Sequence, residues 1–96
     1  MVVLVAKYFC KPGKGNDVEK YLKEMKPLVE KNEKGCVVYF ANRSNDNKDL
    51  FLLYEQYVDQ NALEAHRETP HFKEIIEGKI MPLLEKRERE VYTLVE

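Results

Sequence analysis

The chain has 96 residues, which is enough for a single domain over residues 1–96 and too few for two. With 16 basic and 17 acidic residues the formal net charge is −1, so no basic excess favours nucleic acid or an anionic membrane as a partner. No apolar stretch reaches the ~18–20 residues of a membrane span and no basic segment precedes the apolar start, which predicts a cytoplasmic protein without a targeting peptide.

The first third of the chain is predicted to contain a strand and a helix. Alternating residues predict a strand from Val2 to Cys10, and the proline and glycines of segment 11–15 predict a turn. An amphipathic helix follows, because apolar residues recur at helical spacing: Val18, Tyr21, Leu22, Met25, Leu28 and Val29. Asn16 or Asp17 is expected to cap this helix, and Pro27 predicts a kink or a second helical segment.

A hairpin is predicted in the middle of the chain. Its strands are Cys36 to Arg43 and Leu50 to Val58, joined by the polar turn 44–49. The two-residue period of a strand places four side chains on one face of the second strand: Phe51, Leu53, Glu55 and Tyr57. Which face meets the helices stays open at this point, because a shift of one residue exchanges the two faces.

Two helical segments and a last strand are predicted after the hairpin. Asp59 can cap a short helix that runs from Gln60 to about Arg67. Thr69 and Pro70 are expected to start the next helix, because threonine is a cap residue and proline loses no hydrogen bond at the first helical position. Residues 87–95 alternate again and predict a fourth strand.

The order of these elements is β-α-β-β-α-β. It predicts an α+β, ferredoxin-like fold in which an antiparallel sheet carries its helices on one side. The other side of the sheet would still expose apolar residues such as Leu52, Tyr54 and Tyr92. A second copy of the chain is the simplest cover for that face, so we expect a homodimer.

The segment 65–72, AHRETPHF, contains both histidines. His66 and His71 are separated by a helix break and lack the spacing of a helical metal pair, so no metal site is predicted. Imidazole exchanges protons near neutral pH, which makes His66 a candidate base, whereas His71 is better interpreted as a surface donor at a helix start. Cys10 and Cys36 belong to no CxxC motif and are predicted to be free thiols.

Glu55 is a carboxylate among apolar neighbours on its strand face. Such a group must be paired, protonated or in contact with a ligand. An ion pair with Arg43 or Arg89 and a place in the wall of a pocket are both open. Asn42 could hold a phenolic or carbonyl oxygen, although an asparagine near a strand end is often a turn residue.

Three segments of the chain resemble the antibiotic biosynthesis monooxygenase (ABM) family. They are Gly35-Cys36-x-x-Tyr39, Leu53-Tyr54-Glu55-x-Tyr57-x-Asp59 and Ala62-Leu63-x-x-His66-x-x-Thr69-Pro70-His71-Phe72. The resemblance implies a dimeric α+β barrel in which each subunit has a cavity between its sheet and its helices. It also implies a monooxygenase that oxidises a small phenol or quinol with O₂ and needs no cofactor, neither metal nor flavin.

Residue roles follow from this resemblance. His66 is the expected base, and Tyr57, Asn42 and Arg43 are expected to orient oxygens of the substrate. Four further side chains are expected to contact the substrate: Glu55, Phe51, Phe72 and His71. The family's E-x-W is Glu55-Gln56-Tyr57 here, so Tyr57 takes the position of the tryptophan, and the tryptophan's own catalytic role is not carried over because the chain has none.

Other branches of the family suggest different ligands. Haem is not expected, because the haem-binding histidine of the haem-degrading members falls at about Ile76 in this chain. The alternative function is a non-oxidative isomerase or binding protein for a small phosphorylated sugar or another small metabolite. Arg43, Lys48 or Arg67 would then supply the cationic clamp for the phosphate.

Overall fold

A four-stranded antiparallel sheet forms the centre of the computed structural model, which describes residues 1–96. In chain order the strands are β1 (Val2–Cys10), β2 (Cys36–Arg43), β3 (Leu50–Tyr57) and β4 (Leu84–Thr93). They lie side by side in the order β2-β3-β1-β4. The helices are α1 (Gly15–Asn32), α2 (Gln60–Glu68) and the π-helical α3 (Phe72–Ile80), which a short 3₁₀ turn at Met81–Leu83 connects to β4. The predicted α+β, ferredoxin-like fold is confirmed.

The two faces of β3 differ in burial, and this decides which of them meets the helices. Buried and half-buried side chains alternate along the whole strand. The buried set is Phe51, Leu53, Glu55 and Tyr57. Glu55 therefore lies in the layer between the sheet and the helices, and it does not face the open side of the sheet.

Helix α1 presents the predicted apolar stripe to the sheet, and Val18, Met25 and Val29 are fully buried in it. Its start differs from the prediction, because Asp49 in the β2–β3 turn accepts the backbone N–H groups of Gly13 and Gly15 at 3.1 and 3.0 Å. The prediction that Asn16 or Asp17 caps this helix was wrong, because the capping oxygens belong to Asp49, which is distant in sequence. The helix continues through its internal proline, so no second segment begins there.

The caps after the hairpin agree with the sequence. The Asp59 carboxylate accepts the backbone N–H of Ala62 at 2.8 Å at the start of α2. The Thr69 hydroxyl accepts the backbone N–H of Phe72 at 3.2 Å where α3 begins. The fourth strand runs from Leu84 to Thr93, so it starts three residues and ends two residues earlier than predicted, and it pairs with β1 with one irregularity at Glu85.

Strand β4 and the open face of the sheet carry the exposed apolar side chains. Nearly every residue of β4 is exposed, because the helices pack over the other three strands. Phe40 on β2 is 56% exposed and Tyr92 on β4 is 48% exposed. Cys10 and Cys36 are free thiols, the first buried and the second half-buried. None of the helices has both the length and the apolar character needed to cross a membrane.

Candidate active site

A chain of buried ionisable side chains lies between the sheet and helix α2. Glu55 and His66 are each 2% exposed, and His66 Nε2 lies 3.7 Å from Glu55 Oε1. The Tyr57 hydroxyl donates to the same carboxylate oxygen at 2.5 Å. On the other side of the imidazole ring, His66 Nδ1 lies 2.7 Å from Glu33 Oε1. The second oxygen of Glu33 lies 2.6 Å from His71 Nε2.

Glu33 is the residue that orients both histidines. It follows the last turn of α1, and its side chain is 8% exposed. A carboxylate can only accept hydrogen bonds, so His66 Nδ1 and His71 Nε2 must both carry hydrogen toward it. With its Nδ1 position committed to Glu33, His66 has Nε2 free to exchange a proton on the side of Glu55. This is the second-carboxylate arrangement that orients imidazole bases in many enzymes.

Burial sets the protonation of the groups around His66. The pKa of Glu55 is raised by burial, and the nearby His66 opposes this rise. Burial and then the Glu55 carboxylate raise the pKa of Tyr57, which keeps its hydroxyl protonated as a donor. Burial also raises the pKa of the Cys36 thiol to about 12, which excludes this cysteine as a thiolate nucleophile at neutral pH. The raised pKa of Glu55 therefore favours its protonated form beside His66.

Three aromatic rings enclose the imidazole of His66. Its centroid lies 5.1 Å from that of Phe72, 5.5 Å from that of Tyr57 and 5.9 Å from that of Tyr39. The Tyr39 hydroxyl is a buried polar group without a hydrogen-bond partner in the protein. Since buried hydroxyls are normally paired, it is a donor available to a water or a ligand.

A small cavity of about 20 Å³ opens beside this cluster. Glu55, His66 and Phe72 form its inner wall, and Arg87 and Arg89 of β4 lie at its outer side. The volume suits about one water molecule. An aromatic ligand could enter only if side chains at the outer side moved, which is feasible because both arginines are exposed.

A larger groove of about 610 Å³ lies elsewhere, between α1 and the edge strand β2. Phe51 and Arg43 contribute to it, but neither lines the small cavity. The Arg43 guanidinium already has partners within the protein. Its Nη1 lies 3.2 Å from Glu19 Oε1, and its Nε donates to the Lys48 carbonyl at 2.8 Å. The groove contains no buried acid–base pair, so its size alone does not make it the reactive site.

The structure brings together four of the eight residues expected at the site: Glu55, Tyr57, His66 and Phe72. His71 joins them only through Glu33. Asn42 requires a correction, since it pairs with Leu52 on the open face of the sheet and donates to the Leu52 carbonyl at 3.2 Å. It cannot orient a ligand held by His66 from that face. The structure shows no ion pair of Glu55 with Arg43 or Arg89, the two partners that the sequence left open. Glu55 lies against His66 instead.

Sequence reasoning missed Glu33 and the shared position of Arg87 and Arg89. Nothing in the sequence marks Glu33, because its partners lie 33 and 38 residues further along the chain. The two arginines could have been found from the alternation of β4, which places both on one face of the strand. No group of three or more His, Cys, Asp or Glu side chains is placed to hold a metal ion.

Comparison with known proteins gives this arrangement a family. Residues 1–78 match the sequence model of the family described as antibiotic biosynthesis monooxygenase. The chain belongs to this family. A crystal structure from Caulobacter crescentus, described as a proposed antibiotic biosynthesis monooxygenase, shares 28% identity and a TM-score of 0.90, with 99% of this chain and 90% of that chain covered.

Two further relatives of this ABM-family protein have no stated activity. A Pseudomonas aeruginosa structure is 25% identical with a TM-score of 0.89, and 99% of this chain and 94% of that chain are covered. An uncharacterized protein of Synechocystis is 26% identical over 97 residues, which cover 99% of this chain and 64% of that protein. The chain thus spans less than two thirds of the length of that curated relative. Family membership supports a monooxygenase-like or small-molecule-binding function.

Proposed function

We propose that this ABM-family protein is a cofactor-independent monooxygenase that oxidises a small phenol or quinol with O₂. The observation that carries the proposal is the buried His66, which Glu33 holds at Nδ1 while Nε2 is directed toward Glu55 and the cavity. A base held in this way can remove a phenolic proton without a metal or flavin. His66 is accordingly the proposed catalytic base.

The chemistry requires little more than a base and a dry site. Loss of the O–H proton to His66 Nε2 leaves a phenolate, which can pass one electron to O₂. The resulting superoxide and substrate radical combine at a ring carbon, and loss of water from the peroxide gives the product. A quinol and O₂ then yield a hydroxyquinone and water, and each product receives one of the two atoms of O₂. Aromatic walls and burial disfavour solvent, which would otherwise compete for the charged intermediates.

Two side chains are proposed to assist His66. Glu33 is a positioning residue, because it fixes the tautomer and the ring orientation and links His66 to His71 near the surface. The unpaired Tyr39 hydroxyl is a proposed donor to a developing oxyanion, since the rings of Tyr39 and His66 are neighbours, although Tyr39 lines the α1–β2 groove and would reach the substrate only once the small cavity opened. It replaces Asn42, which lies on the wrong face for this role.

Oxygen uptake with a panel of hydroquinones tests the proposal. His66→Ala and the milder His66→Asn should lower the rate about 10²–10⁴-fold, the usual contribution of a general base. Glu64→Gln, an exposed change on the same helix, is the matched control and should retain the wild-type rate. Turnover by a folded His66→Asn protein at the wild-type rate would exclude His66 as the base.

A homodimer is part of the proposal. It is supported by the exposed apolar side chains on the open face of the sheet, which is the face opposite to Arg87 and Arg89. A stable interface of this kind should bury more than ~1,200 Å² in total. Light scattering at micromolar concentration should give twice the monomer mass of 11.4 kDa, and a stable monomer would contradict the dimer.

The second candidate function is isomerisation or binding of a small phosphorylated sugar. The arginines beside the cavity favour it, because a phosphate needs a cationic clamp. Arg67 was expected in such a clamp and does line the cavity, whereas Arg43 is paired with Glu19 and does not. Thermal stabilisation by sugar phosphates without stabilisation by quinones would favour this candidate over the monooxygenase.

A further inference from the structure

Three of the four arginines in the chain line one small cavity. They are Arg67 at the end of α2 and Arg87 and Arg89 on β4. The chain as a whole carries a net charge of −1, so a surplus of positive charge does not explain the grouping. Glu55 is the single acidic residue in the cavity lining, which leaves the three guanidinium groups in excess.

These arginines are not neutralised within the protein. No ion pair within 4.0 Å involves Arg67, Arg87 or Arg89. The basic side chains of the larger α1–β2 groove differ, since Lys23, Lys26 and Arg43 each have a carboxylate partner there. Burial lowers the pKa of Arg89 most, and the like charges of Arg67 and Arg87 lower it further.

The position of the two β4 arginines follows from strand geometry. Arg87 pairs with Tyr8 and Arg89 with Ala6, so both side chains share the helix-facing side of the sheet with the cavity. They are two residues apart, hence about 6.5 Å along the strand. The neighbouring charges Lys86 and Glu88 lie on the opposite face and pair with one another at 3.0 Å.

Resting on the proposed function, we infer that the substrate carries a carboxylate or phosphate group, which Arg67, Arg87 and Arg89 hold at the cavity mouth. Guanidinium groups match both anions, since their planar donors can form paired hydrogen bonds with two oxygens. The anion would sit at the outer side, and the reacting part of the molecule would extend inward to His66. The exposed arginines can swing outward to admit the ligand and then close on its charge.

Binding measured without O₂ separates this inference from the proposed oxidation. We would titrate the protein anaerobically by calorimetry with 2,5-dihydroxybenzoate and with hydroquinone, and in a second arm with ribose 5-phosphate and ribose. The charged member of at least one pair should bind about tenfold more tightly, as expected for one charge-assisted contact. The pair that shows the difference identifies the anion as carboxylate or phosphate.

Variants of β4 show whether the arginines are responsible. In Arg87→Gln and Arg89→Gln the preference for the charged ligand should fall about tenfold toward equality, while Lys86→Gln on the opposite face should keep it. Equal affinity within both pairs, no binding of either anion, or an equal loss in Lys86→Gln would overturn the inference. Anion preference without oxygen uptake would leave the inference standing and refute the oxidation.

Discussion

The layer between sheet and helices contains two regions of opposite character, and strand β3 contributes to both. Under α1, Phe51 and Leu53 join an apolar cluster of 14 buried residues. Two positions further along the same face, Glu55 and Tyr57 enter the hydrogen-bonded chain that reaches His66 and Glu33. The burial is the same in both regions, but the chemistry is different.

This difference separates what stabilises the protein from what makes it reactive. Buried apolar side chains contribute roughly 1.5–3 kcal/mol each, whereas a buried carboxylate stabilises only as far as its partners offset its lost hydration. A chain of this size has a thin core, so several buried ionisable groups are a considerable cost. Groups kept at such a cost are candidates for function.

The largest expected effect lies in the apolar region. Leu53→Ala should lower the free energy of unfolding by about 3 kcal/mol, because Leu53 is 1% exposed and its removal leaves a cavity in a packed core. Urea denaturation followed by circular dichroism measures the loss. Leu94→Ala is the control, since Leu94 is 37% exposed and should change the stability by less than about 1 kcal/mol. Equal losses would mean that α1 does not shield the core.

An intermediate effect is expected at the centre of the polar region. Glu33→Ala should cost about 1–3 kcal/mol, because it leaves His66 and His71 buried without their common acceptor. Glu30→Ala removes an exposed carboxylate whose ion pair with Lys26 is 3.7 Å long, and it should cost about 0.5 kcal/mol or less. If the two variants lose equal free energy of unfolding in urea, the hydrogen bonds of Glu33 to His66 and His71 do not stabilise the fold.

The smallest effect is a dependence on pH that only the polar region should show. The folded-state pKa of Glu55 is raised above its ordinary value of 4.5 by burial, so folding favours its protonated form. The associated stability is present below pH 4.5 and is lost as pH rises through the raised pKa. Glu55→Gln keeps an acceptor for Tyr57 and carries no charge, so it should gain stability relative to wild type as pH rises.

Unfolding of Glu55→Gln and wild type between pH 4 and pH 8 measures this difference directly. Glu64→Gln is the control, because that carboxylate is exposed and its substitution should leave the pH dependence of stability unchanged. A difference between Glu55→Gln and wild type that stays constant over this range would show that Glu55 keeps its charge at low cost. Burial of the Glu55 carboxylate would then cost the folded protein little stability.

Part of the site followed from local pattern alone. The alternation of β3 placed Glu55 and Tyr57 on one face, and the caps at Asp59 and Thr69 positioned the helices that bring in His66. Each of these features depends on neighbours within a few residues. The motifs that resemble the ABM family lie in the same segments, which is why the family could be named from them.

The remaining features depended on contacts that local pattern does not encode. Asp49 caps α1 from another element, and Glu33 reaches two histidines that follow it by more than 30 residues. Asn42 is suitable by residue type, but strand pairing places it on the open face. The type of a residue gives the chemistry of its side chain, whereas the partners of that side chain depend on how distant segments pack.

The sequence by itself determined the order of strands and helices, the apolar stripe of α1 and the family, because each rests on periodicity or on short motifs. The tertiary structure alone decided that the face of β3 bearing Glu55 meets the helices and that Glu33 joins His66 to His71. It also decided that Arg67, Arg87 and Arg89 meet at one cavity. The physical reason is that a strand has two faces of equal local propensity, and only packing against the helices selects between them.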